Sequence, residues 1–212
     1  MKPNINSKEF KEAISVEQMR KSDEYTIKNY TDSKQLMLRA AKGIYDLQMW
    51  LNKKIAIVCG SGNNGGDGYA LSCLLTKCGY SAEIFRISEK FSDDGKYYYD
   101  MAMEMGVCDH LFCDNTDFSE YDIIIDCIFG TGFKGAPKGN AAKAIEKINL
   151  SGCYVISADI NSGLNGDTGE AELAVKSDIT VSIGFYKKGL FLGKAPELIG
   201  DMINVDIGIE LI

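Results

Sequence analysis

Five glycines crowd the nine residues 60–68, GSGNNGGDG, directly after the apolar run 55–59, IAIVC. The run is rich in β-branched residues and lacks a helical period, which predicts a strand of a parallel sheet buried on both faces. The glycine stretch cannot continue that strand. Its backbone is free to take positive φ and to approach a ligand closely. Beyond it Leu71, Leu74, Leu75 and Cys78 recur at helical spacing, and Gly79 stands where a helix would stop. A strand, a binding loop and a helix N-terminus in that order confine the chain to the α/β class.

Gly60, Gly62 and Gly65 satisfy G-x-G-x-x-G, a dinucleotide pattern of weak specificity when it stands alone. The side-chain oxygens in the same loop say more. A pyrophosphate cradle needs only backbone N–H groups and the helix dipole, whereas Asn63, Asn64 and Asp67 add amides and a carboxylate. With Asp67 expected in the first turn, a phosphate resting there calls for an intervening cation. The loop suits hydroxyls, a polar ring or a metal cation beside any phosphate.

The same pattern recurs twice. The run 121–129, YDIIIDCIF, leads into Gly130-Thr131-Gly132-Phe133-Lys134-Gly135-Ala136, and the run 153–158, CYVISA, leads into Asp159-Ile160-Asn161-Ser162-Gly163. Asp126 lies inside the first run, where a carboxylate must accept loop N–H bonds, be paired, or bind a cation. Ligands of open α/β sheets gather at the carboxyl ends of the strands, so the three loops can share one crevice.

Further strands are expected over 82–87, 107–113, 178–184 and 202–207, with helices over 92–106 and 140–149. Two helices precede the first strand. One covers 14–30, with Ser15 ahead of Gln18 as a capping box and Ile14, Met19, Tyr25 and Ile27 among its apolar positions. The other covers 33–51, with Leu36, Met37, Ala40, Ile44, Leu47 and Met49 or Trp50 inward. They pack either on the sheet or on a second subunit of a homodimer. The expected architecture is a three-layer, Rossmann-like, doubly wound and mostly parallel sheet in one domain over 1–212.

Several chemistries are excluded. Gly95-Lys96 is followed by Tyr97, so there is no P-loop, and there is no G-x-S-x-G elbow. The single histidine, His110, lies between Cys108 and Cys113 without a fourth ligand and reads as structural. Glu83 and Glu89 are poorly placed for the ribose acid of a dehydrogenase. A net charge of −7 argues against nucleic acid. The N-terminus is polar with no signal-peptide core, and no apolar stretch approaches a membrane span, which predicts a cytoplasmic protein. Seven cysteines without a C-x-x-C pair read as reduced thiols.

The three loops, taken together and in this order, resemble the NAD(P)H-hydrate epimerase family, also called the YjeF N-terminal domain. The resemblance runs from about Ser15 to the end, and the Asn-Asn-Gly-Gly-Asp-Gly segment is its most specific part. Asn161 stands where the family commonly has proline. The resemblance implies interconversion of the R and S epimers of hydrated NADH or NADPH, so that a separate dehydratase can restore the cofactor. It implies substrate contacts at Asn63, Asn64, Gly65, Gly66, Asp67, Gly130, Thr131, Gly132, Phe133, Lys134, Gly135, Ala136 and Asp159. It also implies a potassium ion held by Asn64, Asp126 and Ser162, in keeping with the preference of hard cations for oxygen.

Epimerising a carbinolamine needs a proton donor and acceptor near the C6 hydroxyl. Asp159 is the choice for that role, at a strand end where burial would raise its pKa. Lys134 or Lys188 would hold the phosphates or act as the acid instead. The competing reading is a non-catalytic nucleotide-binding or scaffold module of the same fold. Joint presence of Asn64, Asp126, Asp159 and Ser162 favours the enzyme. An ordinary nicotinamide-dependent oxidoreductase is weaker for want of the ribose acid.

Overall fold

The computed structural model describes residues 2–212. Its strands are β1 (Lys54–Cys59), β2 (Ser81–Arg86), β3 (Cys108–Leu111), β4 (Ile123–Cys127), β5 (Tyr154–Ala158), β6 (Ile179–Ile183) and β7 (Asp201–Val205). They form one 7-stranded sheet in the order β3-β2-β1-β4-β5-β6-β7. Every neighbouring pair is parallel. The sheet is the Rossmann-like doubly wound form, with its topological switch point between β1 and β4.

Alternation along the strands builds the layers. Ile55, Ile57 and Cys59 of β1 and Ile123, Ile125 and Cys127 of β4 face a core shared with α3 (Ser33–Tyr45), α4 (Asn63–Lys77) and α5 (Asp93–Glu104). Ala56, Val58 and Ile124 face the opposite side, where Ala141, Ala144, Ile145 and Ile148 of α6 (Gly139–Leu150) cover them. Period-2 side chains thus fill two cores from one sheet, which is why the strands carry apolar residues throughout.

Three helices precede β1 rather than two: α1 (Lys8–Glu12), α2 (Val16–Asn29) and α3. Ser15 caps α2, its hydroxyl accepting from Gln18 N, but the capping box is only half made, since the Gln18 amide reaches out to donate to Ile212 O at 3.3 Å. The inward face of α2 differs, because Met19, Ser22 and Thr26 are buried while Tyr25 and Ile27 are 38% and 41% exposed. The two hydroxyls have work there: Thr26 Oγ1 accepts from Glu210 N at 2.9 Å and Ser22 Oγ from Ile212 N at 3.2 Å. The chain's last residues therefore clamp α2. At its start, Ile14 N donates to Tyr186 O at 2.9 Å and Lys188 N donates to Ile14 O at 3.0 Å.

Helix α3 stops at Tyr45, short of the expected Leu51, although no glycine or proline marks the end. Gln48 and Asn52 turn the chain with positive φ, and Trp50 buries its ring while its indole N–H satisfies Tyr45 O at 2.7 Å. Beyond β6 lie a 3-10 turn (Lys188–Phe191) and the short α7 (Ala195–Leu198), neither of which the sequence reading anticipated. No helix among the described residues is long and apolar enough to cross a membrane.

Candidate active site

A cleft of about 530 Å³ opens at the switch point. It is walled by the β1–α4 turn, the segment after β4, Asp159 at the end of β5, and α2, whose Val16, Met19, Arg20, Asp23 and Ile27 form one helical stripe along it.

The glycine-rich stretch contributes less loop and more helix than expected. Only residues 60–62 turn, and α4 begins at Asn63 with Gly62 as an N-cap that offers no side chain. Gly66 N already bonds Gly62 O, so the N–H groups of Asn63, Asn64 and Gly65 are the ones left free at the helix start. Asp67 is one turn further in, leaving no acid in the first turn. The anticipated repulsion of phosphate at that N-terminus is thus relieved by position. Gly65 and Gly66 are buried and do not line the cleft: a Cβ on Gly65 would strike Gly60 O, and one on Gly66 would strike the Met37 thioether. They bring α4 close to β1 and to its neighbouring helices.

Asn63, Asn64, Asp67, Gly130, Thr131, Gly132, Phe133 and Asp159 all line the cleft, whereas Lys134, Gly135 and Ala136 do not. Gly130 carries no side chain because a Cβ would come within 2.9 Å of Asp159 Oδ2. Phe129 and Phe133 stack at 4.2 Å between ring centroids.

Asn64 Nδ2 donates to Phe129 O at 2.9 Å and Ala158 O at 3.3 Å, joining the ends of β4 and β5. Its Oδ1 is buried and has no hydrogen-bond partner. Asp126 is fully buried. Its Oδ1 accepts from Ser162 Oγ at 2.5 Å and Ile128 N at 3.2 Å, and its Oδ2 from Ser157 Oγ and Ser162 N, both at 2.9 Å. The loop N–H alternative raised by the sequence is therefore present. Burial nevertheless raises the Asp126 pKa, with the Ser162, Ile128 and Ser157 bonds opposing it. Ser162 Oγ also accepts from Phe129 N at 2.8 Å. Asn161, buried beside it, donates to Val175 O at 2.9 Å and Leu198 O at 3.1 Å and accepts from Thr180 Oγ1 at 2.8 Å. These bonds hold the loop where a proline ring would otherwise restrict it.

Asp159 takes φ of 66°, a left-handed conformation unusual outside glycine. Its Oδ2 accepts from Thr131 N at 3.1 Å and its Oδ1 from Lys187 Nζ at 2.5 Å. Lys187 has no exposed side-chain surface, and its ammonium also donates to Ile183 O at 2.7 Å. The lysine at the site is thus Lys187, next in sequence to the exposed Lys188. Parallel bridging of Ile14 to Lys187 turns its side chain inward, a long-range pairing with no local signal.

Two further carboxylates face this pair. Asp67 has its pKa raised well above the usual carboxylate range, by burial first and then by Asp159 and Asp23. Asp23 is pushed up to about 6 by burial and by Asp159, against the pull of Lys187. Sequence reasoning missed Asp23; its signal was an acid four residues after Met19 on the face that α2 turns inward. Carboxyls with pKa values displaced towards neutrality, around one buried ammonium, form a site able to give and take protons.

Comparison with known proteins agrees. The family described as YjeF-related protein N-terminus matches residues 33–189. The chain is 32% identical over 204 residues to the NAD(P)H-hydrate epimerase of Limosilactobacillus fermentum, covering 92% of this chain and 96% of that one. It is 34% identical over 205 residues to the protein of the same name from Oenococcus oeni, with 92% and 96% covered. Against the bifunctional NAD(P)H-hydrate repair enzyme Nnr of Dictyoglomus turgidum it is 37% identical over 168 residues, 76% of this chain but 32% of the relative. The chain thus spans about a third of such bifunctional relatives and nearly all of those named as epimerases. The crystal structure of the yeast protein ynu0 is similar in fold, with a TM-score of 0.75 at 22% identity, covering 84% of this chain and 82% of that one.

Proposed function

The chain belongs to the family of YjeF-related protein N-termini, and from that premise we propose that it is an NAD(P)H-hydrate epimerase, a repair isomerase that interconverts the R and S hydrates of NADH and NADPH. The observation that carries this reading is Asp159, held by the buried Lys187, in the same cleft as the free N-terminus of α4. The first site supplies proton transfer; the second suits a pyrophosphate.

In the proposed arrangement the N–H groups at the start of α4 receive the phosphates. Asn63, Asn64, Gly65, Gly66, Asp67 and the segment from Gly130 to Ala136 frame the nucleotide. Gly65 and Gly66 serve by close packing, and the lysine beyond the cleft lining, Lys134, reaches the substrate only at its rim. The reacting carbinolamine meets Asp159, whose carboxylate Lys187 and Thr131 N hold in one orientation. Loss of the C6 hydroxyl as water leaves an iminium, and water returning to the other face gives the opposite epimer. Asp159 exchanges the proton with the departing or arriving oxygen.

A potassium ion fits the residues present. The unpartnered Asn64 Oδ1, the buried Asp126 carboxylate and the Ser162 hydroxyl form an all-oxygen set suited to a hard monovalent cation. When bound, it supplies positive charge beside the phosphate end of the substrate.

The product is passed to a dehydratase. The bifunctional names of relatives about two and a half times as long support a second activity that works with this one. We place the protein in the cytoplasm, a compartment in keeping with its seven free cysteines, and allow a homodimer through α2 and its neighbours. The test is epimer exchange: the protein in potassium buffer, given the R hydrate, is expected to speed appearance of S beyond the spontaneous rate. Tight nucleotide binding without acceleration would instead indicate a binding module.

A further inference from the structure

Epimerisation carries a hydroxyl from one face of a ring to the other, so proton transfer is needed on both faces. Asp159 and Lys187 serve one side only: both carboxylate oxygens of Asp159 are engaged, by Lys187 Nζ and by Thr131 N. Across the remaining lining, α2 presents a stripe in which Val16, Met19 and Ile27 are apolar and Arg20 is drawn off to Glu24. Asp23 is the acid of that stripe. It is half-buried and accepts no hydrogen bond among the described residues. A carboxyl left without a partner in a largely apolar wall is costly unless a ligand uses it.

We propose that Asp23 is the second proton-transferring residue, acting on the ring face opposite Asp159. This rests on the epimerase reading above and deepens it. In one direction the Asp23 carboxylic acid protonates the C6 hydroxyl; the C6–O bond breaks, water leaves and the N1 lone pair forms the iminium. Water on the other face then adds to C6 and gives its proton to Asp159. In the reverse direction the two exchange roles. One proton leaves Asp23 and one arrives at Asp159, and solvent returns it between turnovers.

The surroundings agree. Asp23 faces Asp159 from the end of β5, Lys187 beyond β6 and Asp67 from α4, with Glu24 and Arg20 on its own helix. Burial first, then Asp159 and Glu24, push its pKa up to about 6 against the pull of Lys187, near enough to neutrality to donate as well as accept. The active enzyme holds one proton between Asp23 and Asp159, so kcat/KM falls as pH rises above the Asp23 pKa, in both directions alike.

The experiment compares the wild type, Asp23→Asn and Asp23→Glu, each as the full chain with a single purified hydrate, across about pH 5–8. For Asp23→Asn, kcat is expected to fall by about 10²-fold or more with KM changed by less than about threefold, and the high-pH limb to disappear. Asp23→Glu is expected to recover part of kcat and to shift that limb. Cooperative unfolding of Asp23→Asn at a melting temperature no lower than that of the wild type separates this from misfolding. Asp23→Asn with kcat within about twofold of the wild type and the same pH profile overturns the proposal. A wild type that binds nucleotide yet never accelerates exchange overturns the epimerase reading itself, and this inference with it.

Discussion

Lys187 is a charge with no access to water, and such a group persists only when paired and hydrogen-bonded. Removing Asp159 therefore strands an ammonium: Asp159→Ala is expected to lose about 3–5 kcal/mol of stability in urea titrations. Asp159→Asn, which keeps an acceptor, should lose less while lowering epimerisation by about 10²-fold or more. Asp23 carries the opposite sign. Its carboxyl is held up to about 6 in the fold against an ordinary value of 3.8, so the folded state binds the proton more tightly than the unfolded. Stability falls as pH rises through that window, and above it the charged carboxylate is a standing cost. Asp23→Asn is thus expected to raise stability at pH 7 by about 1–2 kcal/mol and to make no difference at about pH 2–3, below both pKa values, read from paired melts. A less active but more stable variant marks a group kept for chemistry. At this scale the sequence was partly legible. Asn64, Asp126, Asp159 and Ser162 lie in motifs that announce themselves, whereas Lys187 and Asp23 are placed by pairing and helix docking across more than a hundred residues.

Helix α4 shows what a glycine-rich element is for when most of it is not a loop. Each glycine inside a helix costs about 1 kcal/mol against alanine. Gly65 and Gly68 offset this by letting α4 lie against the Gly60 carbonyl and against Cys59 and Cys127. Gly65→Ala would push a methyl into the backbone of the β1–α4 turn and is expected to cost about 3 kcal/mol while moving the helix start. Gly62→Ala meets nothing within 4 Å and is expected to stay within about 1 kcal/mol of the wild type; denaturation of the two variants makes the comparison. Read from sequence, the five glycines signalled close approach correctly and its purpose incompletely, because the pattern does not say whether ligand or protein comes close. The α3 terminus was misread for a related reason: Gln48, which has no preference for positive φ, turns the chain just before the buried Trp50, and nothing local in the sequence marks it.

For the molecule as a whole, the doubly wound sheet was legible because apolar strands, glycine turns and helical periods alternate along the chain, and parallel crossovers leave few topologies open. The proposed cation site rests on the oxygen chemistry of Asn64, Asp126 and Ser162. It is expected to show itself as potassium-dependent stability: at about 100 times the dissociation constant, bound potassium should add about 2.7 kcal/mol, raising the wild-type melting temperature while leaving Asn64→Ala unmoved. Equal melting in potassium and in a bulky organic cation would remove the ion from the account. The clamp on α2 bears on timing. The N–H donors that seat α2 belong to Glu210 and Ile212, 184 and 190 residues along the chain from the hydroxyls that accept from them. Contacts of that range form only after a long loop has closed, so the wall carrying Asp23 is expected to seat after the sheet and its glycine turns. Catalytic competence should therefore arrive late in folding, with recovery of activity lagging recovery of secondary structure when the denatured chain is refolded.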